Sequence, residues 1–354
     1  MTYKASFEKQ TFIFKNPSGT SRGILTEKHA WFITLSSKNH SAEPTRYSSF
    51  VAHSSSLGEC SVIPGLSPDF TDFISYENKL NEVCQNINYY VDHLYELALY
   101  PSILFGIETA LLGLKSMNQG ILFETPFSRG EVGIPINGLI WMGSKEFMLQ
   151  QIEEKLNAGF SCLKMKIGAI DFASELEILA SIRKKYSKKD IELRVDANGA
   201  FTSKEVLGKL QKLSNFDLHS IEQPIKTGQW EEMANLCAKT PLPIALDEEL
   251  ISVVGENNKA TLLEIIKPQY IILKPSLHGG LTGSSEWIQL ANQRNIPWWI
   301  TSALESNIGL NCIAQYASTF NNSLPQGLGT GGLYLNNTPT SLSIHKGFIW
   351  NCFT

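Results

Sequence analysis

From about residue 134 onward the chain falls into short apolar runs, each followed by an amphipathic stretch of helix length. This repeat predicts β-strands alternating with α-helices around a parallel barrel. The runs are IPINGLIW, CLKMKIG, IELRVDANG, LHSIEQP, PIALDEE, YIILKPS, IPWWITS and a weaker one at PQGLG. The amino-terminal third has a different texture. Alternating segments at Thr11–Lys15 and Ala30–Leu35 predict antiparallel strands, and polar helices follow near residues 75 to 100. The pattern therefore divides the chain into an α+β domain, 1–115, and an α/β barrel, 116–332, with a tail, 333–354, returning to the first domain. Between the first strands, NPSGTSRG reads as a solvated hairpin tip carrying Arg22. The most apolar stretch, 94–114, is interrupted by Glu96, Pro101 and Glu108, which predicts a packed helix and not a membrane span.

Composition narrows the partners. A net charge of -4 over 354 residues provides no basic field for nucleic acid or an anionic membrane, so a small molecule is the expected partner. The six cysteines are scattered without a CxxC pair, which excludes a zinc knuckle or disulfide framework and predicts reduced thiols. The opening MTYKASFEKQTFIFK has no apolar core of a signal peptide, and the expected location is the cytoplasm. Oligomeric state has no signature in the sequence.

Candidate chemistry closes the strand runs. Lys166, Asp196, Glu222, Asp247, Lys274 and Thr301 recur at intervals of about 25 to 30 residues, one βα unit each. Strand side chains alternate, so Lys164 and Lys166 face the barrel interior while Leu163, Met165 and Ile167 face the helices; Asp196 shares its face with Arg194 and Asn198. Barrel active sites sit at the carboxy-terminal strand ends, where these residues lie. Three acids converging there, Asp196, Glu222 and Asp247, would repel one another unless a cation joined them. Oxygen ligands with open positions suit Mg²⁺, with Mn²⁺ as a substitute. Lys166 and Lys274 bracket that point, and burial with Lys164 alongside is expected to lower a lysine towards the range of a base. The implied reaction class is removal of a proton next to a metal-bound carboxylate.

The ordered set KMK (164–166), DANG (196–199), EQP (222–224), DEE (247–249) and KPSLHGG (274–280) resembles the muconate-lactonizing branch of the enolase superfamily. That resemblance implies a modified TIM-type (β/α)7β barrel under an N-terminal α+β capping domain. It also implies Asp196, Glu222 and Asp247 as Mg²⁺ ligands and Lys166 as the acid/base. TSALESNIGLNCIAQ (301–315), PQGLGTGG (325–332), GTSRG (19–23) and GECSVIPGLS (58–67) resemble the o-succinylbenzoate synthases of that branch. The implied reaction is syn-dehydration of 2-succinyl-6-hydroxy-2,4-cyclohexadiene-1-carboxylate in menaquinone synthesis. Lys166 would move the proton and Lys274 would face the enediolate as a cation.

GLGTGG lacks the Lys-Ser/Thr ending of a phosphate loop; Gly327, with Thr301 and Ser302, is instead expected to hold the succinyl tail. Asn198 and Arg22 complete the candidate substrate contacts, whereas His219 and His278 are expected to be structural. The rival within the branch is a racemase or epimerase of N-succinylamino acids or dipeptides, which needs Lys166 and Lys274 as bases on opposite faces. A dipeptide ammonium requires an acidic partner, and no Asp follows Asp247. A non-catalytic ligand-binding barrel is the alternative of another class, and the intact acids and lysines argue against it.

Overall fold

The computed structural model describes residues 2–20, 23–38, 55–116 and 120–352. Strands β1 (Thr2–Thr20), β2 (Gly23–Lys38) and β3 (Ser55–Ser61) form an antiparallel sheet in that order. The centre of β2 is apolar on both faces because both are covered. Trp31, Ile33 and Leu35 pack with Tyr76, Leu80 and Val83 of helix α1 (Phe73–Gln85). Ala30 and Phe32, on the other face, join Phe12, Phe14 and Tyr334. The α1 helix starts at Asp72, whose carboxylate accepts from the Ser75 N–H at 2.9 Å. Helices α2 (Ile87–Asp92) and α3 (Pro101–Lys115) follow. Helix α3 lies so close to β3 that a Cβ on Gly58 would stand 1.7 Å from the Gly106 carbonyl oxygen. No helix among the described residues is long and apolar enough to cross a membrane.

The β1–β2 hairpin reverses within NPSGTSRG as expected, but strand pairing runs further into the segment than a loop would allow. Pairing of β1 with β2 resumes after a register shift between Ile13 and Ser18 and continues to Thr20 opposite Gly23. Pro17 is tolerated because β1 is an edge strand. Arg22 lies outside the described residues.

The short strand β4 (Ile134–Pro135) leads into a parallel sheet of β5 (Gly138–Ile140), β6 (Cys162–Lys166), β7 (Glu192–Asp196), β8 (Ser220–Glu222), β9 (Ile244–Leu246), β10 (Tyr270–Leu273) and β11 (Trp298–Ile300), in sequential order. Helices α4 (Lys145–Asn157), α5 (Phe172–Lys185), α6 (Val206–Leu213), α7 (Trp230–Lys239), α8 (Glu256–Ile266), α9 (Gly280–Gln293) and α10 (Asn307–Ser318) alternate with them. The eighth run, PQGLG, forms no extended strand. It closes the barrel through parallel bridges, Gln326 to Ile136 and Gly327 to Thr301. Outward-facing strand residues such as Leu163, Met165, Leu193, Val195 and Ile221 form one core with the helices.

Among the described residues, the tail returns to the amino-terminal domain only at its start. Lys15 N–H donates to the Leu333 carbonyl and Leu335 N–H to that of Ile13. Beyond that, β12 (Leu342–His345) and β13 (Phe348–Asn351) form a hairpin that pairs with β4. Burial of Ile349 in the barrel core accounts for this departure from the expected path.

Candidate active site

The alternation expected for β6 and β7 is observed, and the strand ends draw lysines and acids together. Lys164 Nζ donates to Asp196 Oδ2 at 3.1 Å and Glu222 Oε2 at 2.8 Å. Lys166 Nζ donates to the same Asp196 oxygen at 3.0 Å and to Asn198 Oδ1 at 2.6 Å. Across the barrel, Lys274 Nζ donates to Asp247 Oδ2. Asp196, Glu222 and Asp247 are buried. The backbone at Asp247 is braced by Gln223, next to Glu222 and held at φ 38°, whose Oε1 accepts from the N–H groups of Asp247 and Glu249. Asn198, at φ 44°, donates from Nδ2 to Glu248 Oε1 at 2.9 Å, which turns its Oδ1 towards Lys166.

Among the described residues, no three His, Cys, Asp or Glu side chains are gathered into a metal cage as they stand. The convergence of acids is realised through ammonium groups, Lys164 joining Asp196 to Glu222 and Lys274 meeting Asp247. Even so, Glu222 Oε1 and Asp247 Oδ1 are buried without a hydrogen-bond partner. Two such oxygens in an all-carboxylate donor set fit a hard divalent cation.

The charges set the protonation. Burial pushes the Asp196 carboxyl up, but Lys164, Lys166 and Lys274 outweigh it and hold it well below the usual carboxylate range. Burial and the neighbouring Asp196 push Glu222 up to about 8. Burial raises Asp247 too, against the pull of Lys274. At Lys164 and Lys274 burial and the neighbouring carboxylates oppose each other. Burial lowers both, but Asp196 and Glu222 at Lys164, and Asp247 at Lys274, raise them by more.

Above these groups lies a cavity of about 260 Å³ lined by Lys164, Lys166, Asp196, Asn198, Glu248 and Lys274. Leu25, Ile63, Pro64 and Leu66 of the amino-terminal domain form part of its wall. Thr301, Ser302 and Gly327 line it as expected, but their donors are engaged. Gly327 N–H donates to the Ile300 carbonyl, while Ser302 N–H and the Thr301 hydroxyl donate to the Gly327 carbonyl. Their contribution is a close wall: a Cβ on Gly327 would stand 2.0 Å from Thr301 Oγ1. A second cavity, about 750 Å³, lies between α1, α3 and the barrel loops, lined in part by Asp69, Tyr100, Lys259 and His278. It holds none of the lysine and carboxylate set, so the chemistry belongs to the smaller one.

Sequence reasoning missed several participants. Asn137, Leu139 and Trp141 share an inward face of the first barrel run, a period-two signal present in IPINGLIW. Lys28, Glu59 and Glu305, buried behind the cavity wall, had no local signal. Arg194 lies beneath Asp196 as alternation requires, 4.2 Å from the centre of the Trp299 ring and bonded to Glu192 and the Pro325 carbonyl. His278 is structural as expected, its Nδ1 accepting from the Lys274 backbone N–H.

Residues 148–349 match the family of enolase C-terminal domain-like proteins. The chain is 44% identical to an o-succinylbenzoate synthase of Desulfotalea psychrophila, over 97% of this chain and 98% of that protein. A crystal structure of MenC from Desulfotalea psychrophila superposes with a TM-score of 0.80 at 40% identity, covering 98% of this chain and 99% of that one. A dipeptide epimerase of Enterococcus faecalis, complexed with Mg and a dipeptide, reaches a TM-score of 0.82 over 100% and 98% of the two chains, at 17% identity, a likeness of fold alone.

Proposed function

The chain belongs to the o-succinylbenzoate synthases of the enolase superfamily, and from that membership we propose that Lys166 is its acid/base in a magnesium-dependent syn-dehydration. The observation that carries this reading is the strand-end cluster of Lys164, Lys166 and Lys274 with three buried carboxylates, two of whose oxygens have no donor. Asp196, Glu222 and Asp247 would hold Mg²⁺, with Mn²⁺ as a substitute. When bound, the ion supplies a Lewis acid for the oxygens of a substrate carboxylate.

The chain's own groups do the rest. Lys166, held at the cavity edge by Asn198, takes the ring proton α to the carboxylate of 2-succinyl-6-hydroxy-2,4-cyclohexadiene-1-carboxylate. It returns that proton to the departing hydroxyl on the same face, so one residue serves both transfers. Lys274, on the far side of the same cavity from Lys166, faces the developing negative oxygens as a cation. The wall of Thr301, Ser302 and Gly327 lies against the succinyl tail, and Asn198 positions Lys166 beside the ring. The setting is menaquinone biosynthesis in the cytoplasm.

Because both Lys166 and Lys274 line one cavity, racemisation of N-succinylamino acids is the second reading. Purified protein with Mg²⁺, offered the cyclohexadiene and N-succinylamino acids separately, tests the choice. A larger kcat/KM for dehydration is expected; racemisation without dehydration would overturn the assignment.

A further inference from the structure

A lysine buried in an otherwise apolar strand face requires partners, and those of Lys28 lie on the wall of the substrate cavity. Lys28 shares the barrel-facing side of β2 with Ala30 and Phe32 and is 4% exposed. Its Nζ donates to Ser61 Oγ and to the backbone carbonyls of Ala303 and Leu304, both of which line the cavity. Leu304 stands at φ 63°, a left-handed conformation unfavourable for a leucine, which persists only where its surroundings hold it. The second hold on it is Tyr334, whose hydroxyl donates to the same Leu304 carbonyl at 2.7 Å.

The residues on either side are fixed by buried carboxylates. Glu305 accepts from Ala303 N–H at 2.7 Å and from the Ser276 hydroxyl in the loop after Lys274. Glu59, on β3, accepts from the N–H groups of Ser306 and Gly309 and from the Ser306 hydroxyl, capping the amino-terminal turn of α10. The segment from Ser302 to Ser306 is thus gripped by charges contributed largely by the other domain.

We propose that Lys28 is a positioning residue for substrate: by binding the Ala303 and Leu304 carbonyls it holds the cavity wall in the strained shape that receives the succinyl tail. This rests on the functional reading above. It assigns Lys28 to binding and not to proton transfer, since its ammonium touches the outside of the wall.

The test compares Lys28→Met, of similar length without the cation, and Lys28→Arg, which restores a cation and donors. Thermal midpoint, kcat, KM and calorimetric affinity for 2-succinylbenzoate are measured for each. In folded Lys28→Met, KM is expected to rise and 2-succinylbenzoate affinity to fall by about tenfold, with kcat within about threefold of wild type and partial rescue by Lys28→Arg. Unchanged KM and affinity, or a fall in kcat at constant KM, would overturn the proposal. If Lys28→Met does not fold, Tyr334→Phe removes only the second donor to Leu304, and a rise in KM of about threefold is expected. An unchanged KM in that variant counts against the proposal. Should wild type neither turn over the cyclohexadiene nor bind 2-succinylbenzoate, the functional reading is what fails. The grip on the wall is then decided by amide exchange at residues 303–309, faster in Tyr334→Phe if it exists and unaltered if it does not.

Discussion

Asp196 accepts from the ammonium groups of Lys164 and Lys166, and this pairing holds its carboxylate charged at the centre of the site. The facing of Lys164, Lys166 and Asp196 followed from strand alternation, because parity needs no knowledge of the partner strand. The balance at each lysine did not follow, since it depends on carboxylates from other strands. Lys28, Glu59 and Glu305 were illegible for the same reason: the Lys28 bond to Ala303 spans 275 residues and the Glu59 bond to Ser306 spans 247. Replacing Asp247 by Asn removes a negative charge at nearly constant volume. It is expected to weaken Mg²⁺ affinity by at least about tenfold in calorimetry. Lys274→Arg keeps a cation that does not act as a base. Dehydration should persist at a reduced rate while any racemisation disappears, a contrast read by running both assays on one preparation.

At the scale of elements, the seven strands β5 to β11 were each visible as an apolar run, the last six ended by a polar residue, because helices cover their outer faces. The eighth was faint because only Gln326 and Gly327 complete the ring. The Asn16–Thr20 part of β1 reads as loop by composition, yet hairpin pairing of Ser18, Gly19 and Thr20 with Leu25, Ile24 and Gly23 after a register shift carries the strand into it. Gly327 is required by space. Gly327→Ala would drive a methyl group to 2.0 Å from Thr301 Oγ1, at the bridge that closes the barrel. A loss of about 1 to 3 kcal/mol in denaturant unfolding is expected, together with a raised KM. A variant with wild-type stability would show that Thr301 yields without cost.

For the whole molecule, stability is expected to respond to both pH and added metal. Glu175, 1% exposed and accepting from Gly168 N–H at 2.6 Å, is pushed up by burial to about 7. The native state therefore binds this proton more tightly than the unfolded chain, whose Glu titrates near 4.5. Its contribution is full below that value and is lost as pH rises through about 7, on the order of 3 kcal/mol. Unfolding measured across this window should show the decline, and Glu175→Gln should flatten it. Buried carboxylate oxygens without donors predict that Mg²⁺ raises the thermal midpoint and EDTA reverses the rise, independently of turnover. On this mechanism Lys166 carries the proton in both steps. It is tested most directly by following 2-succinylbenzoate formation from the cyclohexadiene substrate by Mg²⁺-loaded wild type and folded Lys166→Ala side by side. Wild type should form the product, while the variant should show neither turnover nor solvent-deuterium exchange at the α-carbon. Turnover by Lys166→Ala near the wild-type rate would contradict the account.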